Sequence, residues 1–195
     1  MKKIMLVPAL VATLVAGLPQ HAAADVVTPP VPGNLAVPAG NAAYLAAHAR
    51  GTQNYICLAG QGGFAWTFFG PQATLVDDGF TQVATHFLSP NPVENGTPRA
   101  TWQDSGDTSA VWAGAIASST DPTYVAQGAI PWLLLHVVGA QYGPTWGARL
   151  TATTFIQRVN TVGGVAPTAG CKNAEDVGRK ALVPYAADYV FYRAQ

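Results

Sequence analysis

Residues 52–69 read TQNYICLAGQGGFAWTFF, and this stretch decides the fold. From Thr52 to Leu58 polar and apolar side chains alternate, the pattern of a half-buried strand. Gly60 to Gly63 supply a turn. FAWTFF, residues 64–69, then forms a second strand of aromatic residues that suit a pleated surface, with Gly70 and Pro71 expected to stop it. Two strands around a glycine-rich turn make a hairpin, and no comparably clear helical stripe occurs anywhere else in the chain.

Working outward toward the C-terminus, residues 73–76 run into the turn signature Asp77-Asp78-Gly79, and residues 81–87 follow as a short strand. SPNPVENGTP, residues 89–98, has the composition of a loop. Strands are expected at 100–103 and 109–117 around the turn DSGD at 104–107. IPWLLLHVV, residues 130–138, is almost uninterrupted apolar sequence and fits a strand buried on both faces, with Pro131 at its start where a missing donor is tolerated. ARLTATTFIQRVNT, residues 148–161, is rich in β-branched residues and is expected to be the longest strand. A loop at 163–170 leads to Cys171, and ALVPYAADYVFY, residues 181–192, closes the chain. Toward the N-terminus, NAAYLAAHAR at 41–50 is either a short helix or a strand ended by a turn at Gly51. Residues 25–40, rich in Pro and Gly, form an extended arm or a lead-in strand that can lie across the domain. Short strands separated by turn residues predict an all-β single domain, a sandwich or barrel with long loops.

The first residues speak to compartment. Lys2 and Lys3 precede an apolar run from Ile4 to Leu18, and Ala22, Ala23 and Ala24 offer a small-residue cleavage site. This is the pattern of a signal peptide over residues 1–24, with a mature domain at 25–195 that is secreted or periplasmic. The run is shorter than the ~20 residues a membrane-spanning helix needs, so no membrane span is expected after cleavage. In an exported chain Cys57 and Cys171 are expected to pair. There is no CxxC and no Cys beside a His to suggest a metal site. Without Lys2 and Lys3 the chain holds 8 basic against 10 acidic residues, a formal charge of −2. With no basic cluster, nucleic acid is excluded as a partner.

Candidate site residues gather around the SPNPVENGTP loop and in the IQRVNT block. His86 precedes that loop, and Trp102, Asp104 and Asp107 follow it. If the loop is a hairpin connection, His86 and an Asp can face each other as an acid/base pair; otherwise His86 caps a strand end and the aspartates hold their turn. Arg158 and Asn160 share a strand face with Ile156 if residues alternate strictly. Arg158 then either pairs with Asp104, Asp107 or Asp188, or lines a pocket that accepts an anion or polar ligand. His136, within an aliphatic run, needs a hydrogen-bond partner or solvent. The aromatics Phe64, Trp66, Phe68, Trp102, Trp112, Trp132, Trp146, Tyr185 and Tyr189 form a carbohydrate platform if several are exposed; alternation places most of them in the core. There is no GxSxG elbow and no histidine pair at metal-ligand spacing. Neither a cofactor nor a metal is expected.

Taken together, YIC at Tyr55, FAWTFFGPQATL from Phe64, HF at His86, IPWLLL at Ile130, FIQRVNTVGG from Phe155, Cys171 and YAADYVFY from Tyr185 resemble a secreted family of bacteria and fungi, the domain-of-unknown-function family 3455. The resemblance covers nearly all of residues 25–195 and implies a single exported domain in which the two cysteines are shared features. It implies no activity. Some fungal members carry the label malate dehydrogenase, which this sequence does not support: Gly60, Gly62 and Gly63 lack the GxGxxG spacing and lead into a strand instead of a helix. The long loop after His86 departs from the family pattern.

The sequence therefore points to a binding domain for a small molecule, a glycan or a surface component, with His86, Trp102, Asp104, Arg158 and Asn160 as its site. Two alternatives stand beside it: a cofactor-free hydrolase using His86 and an Asp, and a structural envelope component.

Overall fold

A computed structural model describes residues 26–195; the expected leader at 1–24 lies outside the described residues. The chain forms eight strands: β1 Asn41–Gly60, β2 Gly63–Val76, β3 Gln82–Asn91, β4 Thr97–Asp104, β5 Ala110–Ser119, β6 Trp132–Gln141, β7 Thr153–Gly163 and β8 Lys180–Ala194. Each pairs antiparallel with the next, and β8 returns to pair with β1, closing a barrel. Of the two all-β architectures expected, the chain adopts the barrel. Closure gives every strand a neighbour on each side, although the tip of the β1–β2 hairpin, 57–60 and 63–71, pairs only within itself.

NAAYLAAHAR is the first half of β1, not a helix, and Gly51 is not a turn. The reason lies in the pairing: this segment hydrogen-bonds to β8 along its length while the second half pairs with both β8 and β2. Tertiary pairing overrides the alanine preference for helix. Gly51 sits where β1 and β2 approach most closely, since a Cβ there would stand 2.0 Å from the Gln72 carbonyl oxygen and 2.5 Å from Ala73 Cα. Instead of stopping at Gly70 and Pro71, β2 runs on through them, paired with Asn54 and Gln53 beside a register shift at Asn54/Tyr55. At 20 residues β1 is the longest strand, a place expected for residues 148–161. That stretch begins instead with turns, and β7 starts at Thr153. The SPNPVENGTP loop is also shorter than expected: β3 continues to Asn91, Pro92–Glu94 form one 3-10 turn, and β4 begins at Thr97. The Asn91 side chain caps that turn by accepting from the Val93 N–H.

Cross-strand partners share a face, so the pairing register identifies the inward residues. Gly51, Ala73, His86, Trp102 and Val111 follow one another around β1 to β5. Below this layer Leu45, Ala47, Ala49, Leu75, Ile156 and Phe191 fill the barrel. Leu150, fully buried, plugs that end from the β6–β7 connection; its N–H donates to Ser109 Oγ, and the Arg149 N–H donates to Asp107. Burial would raise the Asp107 carboxyl, but the Ser109 hydroxyl and the Arg149 and Ser109 N–H groups that donate to it outweigh this and hold it down to about 2.

A second apolar cluster lies on the outside of β6, β7 and β8, where Trp132, Leu134, Val159, Val190 and Tyr192 are covered by Leu35 of the N-terminal arm and by Val125. The Gln157 amide donates to the Leu35 carbonyl at 2.6 Å and pins the arm across the barrel. IPWLLLHVV is thus buried on both faces as far as Leu135; beyond it His136 is exposed. Cys57 and Cys171, 114 positions apart in sequence, are bonded. The bond fastens β1 to the β7–β8 connection at the end of the barrel opposite Leu150.

Candidate functional site

An eight-stranded barrel is just wide enough to be filled by side chains or to hold one small ligand. Here the layer of His86 and Trp102 fills the cross-section. Above it the side chains facing inward from β3 to β6 are Leu88, Ala100, Ala113, Ala115 and Leu133, too small to meet across the axis. They leave a cavity of about 250 Å³. Phe68, Pro71, Pro98 and Arg99 surround its mouth.

His86 and Trp102 are cross-strand partners on β3 and β4 and form the wall and floor, with rings stacked at 4.2 Å and 12° between planes. Both are almost completely buried. The His86 Nδ1–H donates to the Thr101 carbonyl at 2.9 Å. Burial, helped by the nearby Arg158 charge, pushes the imidazole down to about 3, so it is neutral at every ordinary pH. A group with that pKa is a poor proton acceptor near neutrality.

Arg158 comes from β7, opposite Leu133 on β6 and Tyr189 on β8, both of which face inward. Its Nε and Nη2 donate to the Pro131 carbonyl at 3.3 and 2.8 Å. The guanidinium faces the Tyr189 hydroxyl, which burial holds above its ordinary range. Among the described residues it has no carboxylate partner, in contrast to Arg99 at the rim, which Glu94 grips with bonds of 2.8 and 2.7 Å. Gln53 and Trp102 complete the wall. Both are buried, and neither the Gln53 Nε2 nor the Trp102 Nε1 has a hydrogen-bond partner. The Gln53 amide lies near the Tyr185 hydroxyl without the geometry of a bond.

The structure therefore brings together His86, Trp102 and Arg158 and leaves Asp104 and Asn160 apart from them. Asp104 stands at the plugged end, where its Oδ1 accepts from the Gly106 and Asp107 N–H groups and its Oδ2 lies 3.5 Å from Arg149. No hydrogen bond joins His86 to any Asp among the described residues. Asn160 leaves the Arg158 face because a bulge between Val159 and Val162 breaks the alternation. Its backbone takes φ 50°, and its amide donates to Asp188 at 2.7 Å on the outer surface. Two members of the site escaped sequence reasoning: Gln53, hidden in an ordinary alternating strand, and Tyr189, seen only as one of nine aromatics. Among those aromatics Phe68 is exposed at the cavity mouth and Trp146 at the plugged end, so they make no continuous row.

Three surface grooves are larger, at about 890, 930 and 500 Å³, but none is lined by a buried side-chain donor lacking a partner.

His86 yields a stability prediction. Its folded pKa lies near 3 against 6.5 unfolded, so between those values the unfolded chain binds the proton and the folded one does not. Stability is complete above pH 6.5 and falls by about 1.4 kcal/mol for each unit below it. Urea unfolding of the wild type and of His86→Phe across pH 7 to 4 isolates this slope from other groups. His48, whose pKa is raised by its bonds to Asp78 and Asp188, acts with the opposite sign in both proteins. Equal slopes in the two would refute a neutral buried His86.

Fold and site together define an up-and-down β-barrel with one small, donor-lined pocket at its unplugged end. The chain belongs to the family described as protein of unknown function (DUF3455), whose profile matches residues 38–193. No curated protein and no solved structure gives a significant match. Among the described residues no helix is long and apolar enough to cross a membrane.

Proposed function

We propose that this protein is a non-enzymatic, exported binding domain that holds a small molecule in the barrel cavity. The observation that carries the reading is the pair of buried donors without partners, Gln53 Nε2 and Trp102 Nε1, beside the unpaired guanidinium of Arg158. A buried donor left unmatched costs about 1–3 kcal/mol, and a ligand acceptor that meets it recovers that free energy. The apolar remainder of the wall supports the same reading, since ligand sites combine apolar lining with a few placed polar groups. The low pKa of His86 and its distance in the fold from any Asp weigh against acid/base chemistry there. Export is supported by the leader pattern and by the disulfide.

The test is a thermal-shift panel on the non-reduced protein with octanoate, benzoate, octan-1-ol, benzyl alcohol, glucose, N-acetylglucosamine and soluble cell-wall peptides. A ligand at about a hundredfold its Kd stabilises by roughly 2.7 kcal/mol, a rise of roughly 5–10 °C for a chain of this size. A shift that disappears in Leu133→Trp, which fills the cavity, is the expected result. Silence across the panel, or a shift that survives the filled cavity, overturns the reading.

A further inference from the structure

We infer that the cavity selects a small monocarboxylate, seated with its carboxylate on Arg158 and its compact apolar body against Leu88, Leu133 and Trp102. This deepens the binding reading above and rests on it.

Donors outnumber acceptors in the wall, where neutral His86, its Nδ1–H spent on the Thr101 carbonyl, keeps only Nε2 as an acceptor. Arg158 carries five N–H donors, of which Nε–H and one on Nη2 serve the Pro131 carbonyl. One more can serve the Tyr189 hydroxyl, leaving at least two. Gln53 adds an unpartnered amide N–H₂ and Trp102 an unpartnered indole N–H. No Asp or Glu lines the cavity. Arg99, the other cation there, is already neutralised by Glu94, so the positive charge of Arg158 has no counterpart within the pocket. Donors in excess and one unmatched guanidinium call for an acceptor-only, negatively charged group. The planar fork of arginine matches a carboxylate with two parallel bonds.

Size and walls restrict the rest of the ligand. A cavity of about 250 Å³ lies below the ~300–1,000 Å³ range of drug-sized sites, so the occupant has on the order of ten heavy atoms. Apart from the donors the lining is aliphatic or aromatic, including Ala100, Ala113, Leu88 and Leu133. A sugar acid, with a hydroxyl on most carbons, would bury those hydroxyls against apolar walls with too few acceptors to meet them. A fatty or aromatic acid would not.

The experiment is calorimetric titration of the disulfide-intact protein at pH 7 with two matched pairs, octanoate against octan-1-ol and benzoate against benzyl alcohol. A charge-assisted bond to this half-buried guanidinium predicts a preference for each acid of about tenfold or more. Arg158→Gln is expected to bring the acids down to the level of the alcohols, and Arg158→Lys to restore part of the preference. Should Arg158→Gln fail to fold, the wild type still decides. The titratable groups facing Arg158, namely His86, Tyr55, Tyr185 and Tyr189, remain neutral from pH 4 to 7. The preference must therefore vanish as the pH falls through the acid's own pKa, about 4 to 5. Alcohols binding as tightly as acids, or a preference that Arg158→Gln retains, overturns the carboxylate assignment and leaves the binding reading standing. Silence from all four ligands also overturns it, and the wider panel then decides the binding reading separately.

Discussion

Replacing Cys57 and Cys171 together by alanine is expected to lower the free energy of unfolding by up to about 4 to 5 kcal/mol while leaving the barrel intact. The bond closes a loop of 114 residues, and in the chain-entropy treatment a loop of that size restricts the unfolded ensemble by about this much. The native contacts it secures are few and local. The Cys57 N–H donates to the Arg179 carbonyl and the Gly178 N–H to the Cys57 carbonyl, while Trp66 Nε1 donates to the Ala169 carbonyl at 2.9 Å. All of these persist when the sulfurs are gone. The ladder between β1 and β8 likewise continues without the bond. Alanine is the right replacement, because Cys57 is fully buried and a serine hydroxyl there would add its own desolvation cost. Urea unfolding of oxidised wild type and the double variant measures the difference, with near-ultraviolet circular dichroism reporting on the native packing. A loss below about 1 kcal/mol would mean that the unfolded chain is already compact in this region, and a lost near-ultraviolet signal would mean that the bond shapes the native state itself.

The β class, the hairpin at 52–69 and the pairing of Cys57 with Cys171 were legible because each follows from local pattern or from compartment chemistry. What the sequence concealed was set by closure. NAAYLAAHAR has the composition of a helix and becomes a strand because β8, about 140 residues away, supplies its hydrogen bonds. Gly51 looks like a turn and is instead a point of close approach, a role visible only when β2 lies beside it. SPNPVENGTP looks like a free loop, yet Pro90 and Asn91 pair with Pro98 and Thr97 across a tight turn.

The candidate site was legible to the same depth. His86, Trp102 and Arg158 stand out because a polar ring, an indole and a guanidinium are each unusual on a strand face turned inward. Their convergence follows from register: His86 pairs with Trp102, and Arg158 pairs with Tyr189, whose ring lies 5.1 Å from His86. Asn160 was misplaced because strict alternation was assumed through it, and one bulge suffices to turn a side chain from the inside to the outside. Asp104 was misplaced because two residues along β4 from Trp102 is one layer nearer the plugged end, where the carboxylate serves the turn that follows.

Trp102 joins stability to the site, and its substitutions separate the two contributions. Trp102→Ala is expected to destabilise the fold by about 3–5 kcal/mol, the range for deleting a large aromatic from a packed interior. The side chain is fully buried, stacks on His86, and meets Tyr189 and Phe191 edge-on at 5.4 and 6.3 Å. These neighbours come from β3 and β8, whose ladders hold them in place, so the space cannot collapse readily. Trp102→Phe removes the fused ring but also the indole N–H that is buried without a partner. Relief of that group, roughly 1–3 kcal/mol, offsets much of the lost packing, and the variant is expected to lie within about 1–2 kcal/mol of wild type. Binding should respond differently: a ligand acceptor that uses the indole N–H loses it in Trp102→Phe, so ligand-induced stabilisation falls even though the fold is kept. Urea unfolding of both variants, with and without a ligand drawn from the panel, checks both halves. If Trp102→Phe costs as much as Trp102→Ala, the indole N–H carries no penalty in the free protein. The unpartnered donors would then no longer support a waiting ligand.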